Sequence, residues 1–170
     1  PEIVSVVTVE QPSEGSIAVE GYTEDTFEIT GASTVNVIVT PPAEKKVTAV
    51  KVNGVAQSLG DYTDGVFTGA VKVSGTAVIT AEFDYITYVK TVDIKINQLQ
   101  AMSVKITNGT ITRIFTVSML PGDLSETVAV ISEYRTVTFM APKGTWTVTL
   151  CSDTNGQMAI GKPITSVVVA

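Results

Sequence analysis

Few side chains in this 170-residue chain could do chemistry, and their spacing says what kind. There is no His, which removes the commonest general base, metal ligand and near-neutral pH switch, and with it every His-dependent dyad or triad. The single Cys, Cys151, can form neither an internal disulfide nor a thiolate metal cluster within one chain. It ends the alternating run Thr145-Trp146-Thr147-Val148-Thr149-Leu150, where a packing or strand-end cysteine is expected rather than a reactive thiol. Carboxylate pairs are the remaining catalytic option. Glu24-Asp25 and Asp61 with Asp64 are close in sequence, but both fall in turn-forming stretches. Glycosidase or acid–base work needs carboxylates in a cleft that shifts their pKa. Asp61-Tyr62-Thr63-Asp64-Gly65 and Asp153-Thr154-Asn155-Gly156 are the nearest approaches to a cation loop. Neither has oxygen ligands at alternate positions with a later Gly and a distant Glu, and Asp, Asn and Gly are what β-turns require. No catalytic, cofactor-binding or metal-ligating residue is assigned; no cofactor is expected, and the chain reads as a non-enzyme.

Aromatic rings could instead stack on sugars. The candidates are Tyr22, Tyr62, Tyr85, Tyr88, Tyr134 and Trp146. Trp146 alternates with Thr145 and Thr147 and is expected to face a core, while Tyr85 and Tyr88 flank a junction and are expected to pack there. Asn108-Gly109-Thr110 is formally a glycosylation acceptor but also a hairpin turn.

The composition names the elements that must position these groups. Val occurs 27 times and Thr 25 times, 44% of residues are hydrophobic and only 16% charged. A disordered chain would be poorer in Val and Ile and richer in charge, so the expectation is an all-β protein with little helix. The longest uncharged stretch, Ile29 to Ala43, is too short to span a membrane and carries Pro41-Pro42. The chain begins at Pro1 rather than Met, as a processed or trimmed product would.

Charge is unevenly placed. Residues 1–84 hold twelve acids against four bases, a balance of −8, and no base precedes Lys45. Residues 85–170 hold five acids against seven bases, a balance of +2, with the bases scattered. The step predicts two domains, 1–84 and 85–170, joined near Asp84–Thr87. Neither half clusters Lys and Arg as phosphate contacts require, so no nucleic-acid partner is expected.

Period-2 runs appear at 3–9, 16–20, 26–30, 34–40, 47–52, 65–73 and 76–83, and again at 86–96, 101–107, 110–119, 136–140, 145–150 and 164–169. Asn53-Gly54 and Asn108-Gly109 predict hairpins because both positions tolerate φ > 0, and Pro142-Lys143-Gly144 predicts another between the runs that flank it. Two windows have rough helical spacing: Ile96, Leu99 and Met102, and Leu124, Val128 and Ile131 after Asp123, a possible N-cap. The second also alternates and is assigned to a strand. Strands at this spacing with Gly and Pro turns predict two tandem small antiparallel β domains, sandwich-like.

In residues 1–84, Val7-Thr8-Val9 precedes Pro12 and Gly15-Ser16-Ile17, and Val39-Thr40-Pro41-Pro42-Ala43 leads to Val50-Lys51-Val52-Asn53-Gly54-Val55. A closing strand, Ala77-Val78-Ile79-Thr80-Ala81-Glu82-Phe83, completes the pattern. This half resembles a divergent InlB B-type repeat, a β-rich module of bacterial surface proteins. It departs where many such repeats have Gly-Tyr, since Lys45-Lys46 follow Glu44 here. Residues 86–170 resemble, generically, an immunoglobulin-like β-sandwich without its Cys pair. The resemblance implies a stalk or spacer in secreted or surface-anchored proteins, with no catalytic residues. The expectation is therefore a non-catalytic extracellular structural or adhesive module, of a bacterial surface or filament protein or of a phage virion. A carbohydrate-binding module, or an accessory domain of a larger secreted enzyme, is the alternative. The expected partners are proteins, with self-assembly through β-edges. Ile164 to Ala170 is uncharged and β-branched, so it must pair, either within the chain or with another subunit.

Overall fold

The computed structural model describes residues 4–31, 33–58, 65–94 and 101–170. The chain divides into two units, Pro1–Ile86 and Thr87–Ala170, each with its own hydrophobic core. All named elements are β-strands, as the Val- and Thr-rich alternation requires.

The first unit holds β1 (Val4–Val9), β2 (Ser16–Val19), β3 (Thr26–Thr30), β4 (Ser33–Thr40), β5 (Lys45–Val52), β6 (Val55–Ala56), β7 (Phe67–Val73) and β8 (Thr76–Tyr85). One sheet has the order β3-β1-β8-β5-β6 and the other β2-β4-β7. Alternate residues of both turn inward, so that Val7, Val37, Val39, Val50, Val71 and Ile79 are all fully buried. Burying each such side chain contributes on the order of 1.5–3 kcal/mol. Asn53 and Gly54 both have positive φ and close the β5–β6 hairpin, as their types dictate. The chain crosses repeatedly between the two sheets, and two of these crossings lie between β3 and β4 and between β7 and β8. Buried Ser5 ties these two corners together: its Oγ donates to Gly31 O at 2.9 Å and accepts from Gly75 N at 3.0 Å.

The second unit holds β9 (Tyr88–Asp93), β10 (Ser103–Thr107), β11 (Thr112–Ser118), β12 (Val128–Ser132), β13 (Thr136–Ala141), β14 (Gly144–Cys151) and β15 (Ile164–Val169). They form one sheet in the order β15-β14-β10-β11-β12-β13-β9, which curls until its two edge strands, β15 and β9, lie alongside each other without a ladder. This near-barrel closes on Phe115, Phe139, Trp146, Ile106 and Ile131, with the two phenylalanine rings tilted at 6.1 Å.

Several expectations are refined or corrected. Two pairings are parallel, β1 with β8 and β11 with β12, where antiparallel sheets were expected throughout. Alternation marks a strand but carries no information on its direction: β8 follows β1 only after β2 to β7, and the nine residues 119–127 let β12 run alongside β11 in the same direction. The runs flanking Pro142-Lys143-Gly144 do not form a hairpin: β13 pairs with β12 and β9, while β14 pairs with β10 and β15. Trp146 buries its indole at this corner and donates to Pro142 O at 3.0 Å, so the turn swings the chain across the core instead of back along it. At Asn108-Gly109 the hairpin forms with a four-residue loop, because Asn108 Oδ1 accepts from the N–H of both Thr110 and Ile111. The window at 124–131 yields β12, and Asp123, the possible N-cap, accepts from Ser118 Oγ instead. Ile96 and Leu99 lie outside the described residues. The terminal segment pairs within the chain, Val167 opposite Trp146 and Val169 opposite Gly144. Among the described residues no helix is long and apolar enough to cross a membrane.

Candidate functional site

The single thiol is structural. Cys151 is buried at the end of β14, its Sγ directed at Thr149 O at 3.9 Å, and burial pushes its pKa up, with the nearby Asp153 carboxylate adding to the effect. The loop after it uses its carboxylate internally. Asp153 Oδ1 accepts from Gln157 N at 3.1 Å and Met158 N at 2.9 Å, while Asp153 O accepts from Ser103 Oγ at 2.6 Å. These backbone donors, Met158 foremost, hold the Asp153 carboxyl below its ordinary value. The loop thus caps itself as a turn. Among the described residues no group of three or more His, Cys, Asp or Glu is placed to hold a metal ion. Asp61, Tyr62 and Asp64 lie outside the described residues.

The Glu24-Asp25 pair is not assembled into a cleft. Asp25 Oδ1 accepts from Gln11 Nε2 at 2.9 Å, and Gln11 in turn bonds both N and O of Ile17, extending the edge of β2. The aromatics separate into structural and exposed classes. Trp146 is in the core, as its alternation requires. Tyr85 lies under the Lys45 ammonium at 4.7 Å and Tyr88 under that of Lys143 at 5.3 Å. Lys45 also pairs with Glu14 at 3.1 Å, and this bond raises its pKa. Tyr134 stands exposed at the β12–β13 hairpin tip, where both Glu133 and Tyr134 have positive φ.

Tyr22 is different. It stacks on Phe27 with ring centroids 3.8 Å apart and planes 15° from parallel, and Phe27 packs on the first core. Together they close the open side of the sandwich between β3 and the β2–β4 pair. A groove of about 470 Å3 runs there, lined by Glu20, Tyr22, Glu28, Thr30, Ser33 and Asn36 among others. Glu20 Oε2 accepts from Asn36 Nδ2 at 2.9 Å. Tyr22 was a sequence candidate; Glu20, Glu28 and Asn36 carried no signal, because their proximity arises only when two sheets meet.

The second unit has an apolar cleft of about 520 Å3 where β9 and β15 approach without pairing. Ile94, Val148, Leu150 and Ile164 line it, with Asp93 and Lys162 also on its wall. No protein-family model, curated protein or solved structure matches the chain.

Proposed function

We propose that this protein is a non-catalytic structural or adhesive module displayed outside a cell or on a virion. The observation that carries the reading is the serial build: two β units, each closed around its own core, with β8 ending at Tyr85 and the next strand starting at Tyr88. Small β domains that follow one another along a chain suit stalks and spacers, which present other parts and need resistance to unfolding rather than a reacting cleft. The resemblance of residues 1–84 to InlB B-type repeats supports the same reading. So does the use of the nearest catalytic-looking groups for structure, with Asp153 capping its own loop and Cys151 buried.

Display is testable on the intact cell or particle that carries the gene. An antibody to this chain should label the surface without permeabilisation, and brief protease treatment should remove the label. Labelling that appears only after lysis would overturn the proposal.

A further inference from the structure

We propose that the groove between β3 and the β2–β4 pair binds carbohydrate, one sugar ring stacking on the outward face of Tyr22 and its hydroxyls bonding to Glu20, Glu28 and Asn36. The inference names a partner for the adhesive module and rests on that reading for its biological setting alone. Three features of the groove carry it.

The first is the platform. One face of Tyr22 is covered by Phe27, and the residue as a whole keeps 39% exposure. The stack holds the ring in place before any ligand arrives, and little further order is lost on binding. The C–H face of a pyranose is apolar and faintly positive, matching the negative face of an aromatic ring. The second is the polar rim. The bond between Glu20 and Asn36 fixes a carboxylate and an amide side by side. Planar groups with paired polar atoms match the adjacent hydroxyls of a sugar. Glu28 and Thr30 add acceptors and a hydroxyl along β3, whose outer edge makes no ladder bonds because it is the last strand of its sheet.

The third is the mixture of donors and acceptors. A Lys or Arg side chain could use the ring and the carboxylates but not the amide N–H or the donor capacity of the hydroxyls of Thr30 and Ser33. Sugar hydroxyls both donate and accept, and so use every group present. The volume, about 470 Å3, falls in the range of small-ligand sites, about 300–1,000 Å3.

The test is a glycan array probed with the full chain, followed by calorimetric titration of the best saccharide and of a Lys/Arg-rich peptide. Wild type and Tyr22→Phe, which keeps the stack, should bind the saccharide. Tyr22→Ala and Glu28→Gln should each bind about tenfold more weakly or worse. Tyr22→Ala also uncovers Phe27; Glu28 is exposed, so Glu28→Gln should keep the wild-type melting temperature and reports on binding alone. No saccharide above background, binding that neither variant weakens, or tighter binding of the basic peptide would each overturn the proposal. Binding by a chain never found on a surface would leave the groove assignment standing and sink only the display reading.

Discussion

Ser5 shows how much one small polar side chain can organise. Its hydroxyl is fully buried, yet both its donor and its acceptor capacity are used, on Gly31 O and Gly75 N. Ser5→Ala removes both bonds at once and leaves the half-buried Gly31 carbonyl and the N–H of exposed Gly75 to find other partners. The expected loss is about 1–3 kcal/mol, read as a shift of the first unit's urea midpoint. An unchanged midpoint would mean that water replaces the hydroxyl. Asp153 makes a pH-dependent contribution. Its carboxyl titrates below the ordinary 3.8 because backbone N–H groups bond the charged form. Stabilisation from a depressed acid is present above the unfolded value and is lost as pH falls through the folded one. The wild-type chain should therefore melt above Asp153→Asn at neutral pH, and the two should converge as pH drops below about 3.8. Parallel curves across that range would remove the charge from the explanation.

At the scale of elements, the β12–β13 hairpin stores strain. Two of its three turn residues, Glu133 and Tyr134, have φ of 49° and 57°, a region that costs an L-residue about 1–2 kcal/mol. Replacing the pair with Asn-Gly should raise the second unit's stability by about 1–2 kcal/mol in denaturant titration. A fall in stability would show that the Tyr134 ring contributes packing that outweighs the backbone. The terminal strand β15 works in the opposite sense. Val167 and Val169 are buried in the second core, and their strand covers the edge of β14 beside Trp146. Truncation after Lys162 removes those side chains and opens that edge, so the second unit should lose its cooperative melt. A truncated chain that melts as before would mean β15 is dispensable and its pairing incidental.

At the scale of the molecule, the charge balance changes sign with the structural division. Residues 1–84 carry −8 and residues 85–170 carry +2, and the structure divides at Ile86–Thr87. Strand β8 runs on to Tyr85, which pairs with Lys45, and Ile86 N donates to Glu44 O at 2.9 Å, so these residues belong with the first core. Residues 1–86 and 87–170 produced separately should each give a β-type circular dichroism spectrum and a cooperative melt. Two unfolded fragments from a folded whole would show that neither core suffices alone.

What could be read from residue order was whatever depends on near neighbours. Valines at every second position in Thr34–Thr40 mark β4 and its buried face, because successive side chains of a strand point to opposite sides. Asn53-Gly54 gives its turn for the same local reason, since both residues tolerate the φ it needs. The burial of Trp146 follows from its place in an alternating run. Partner choice did not follow. Pro142-Lys143-Gly144 suits a hairpin, yet β13 and β14 take different neighbours, because pairing maximises burial across the whole near-barrel rather than along the turn. Glu133-Tyr134 carries no turn signal, and the flanking ladder forces them into one. The groove beside Tyr22 belongs to this second class: Glu20, Glu28 and Asn36 sit on three different strands or their ends, and only the meeting of two sheets over one core brings them to a single groove.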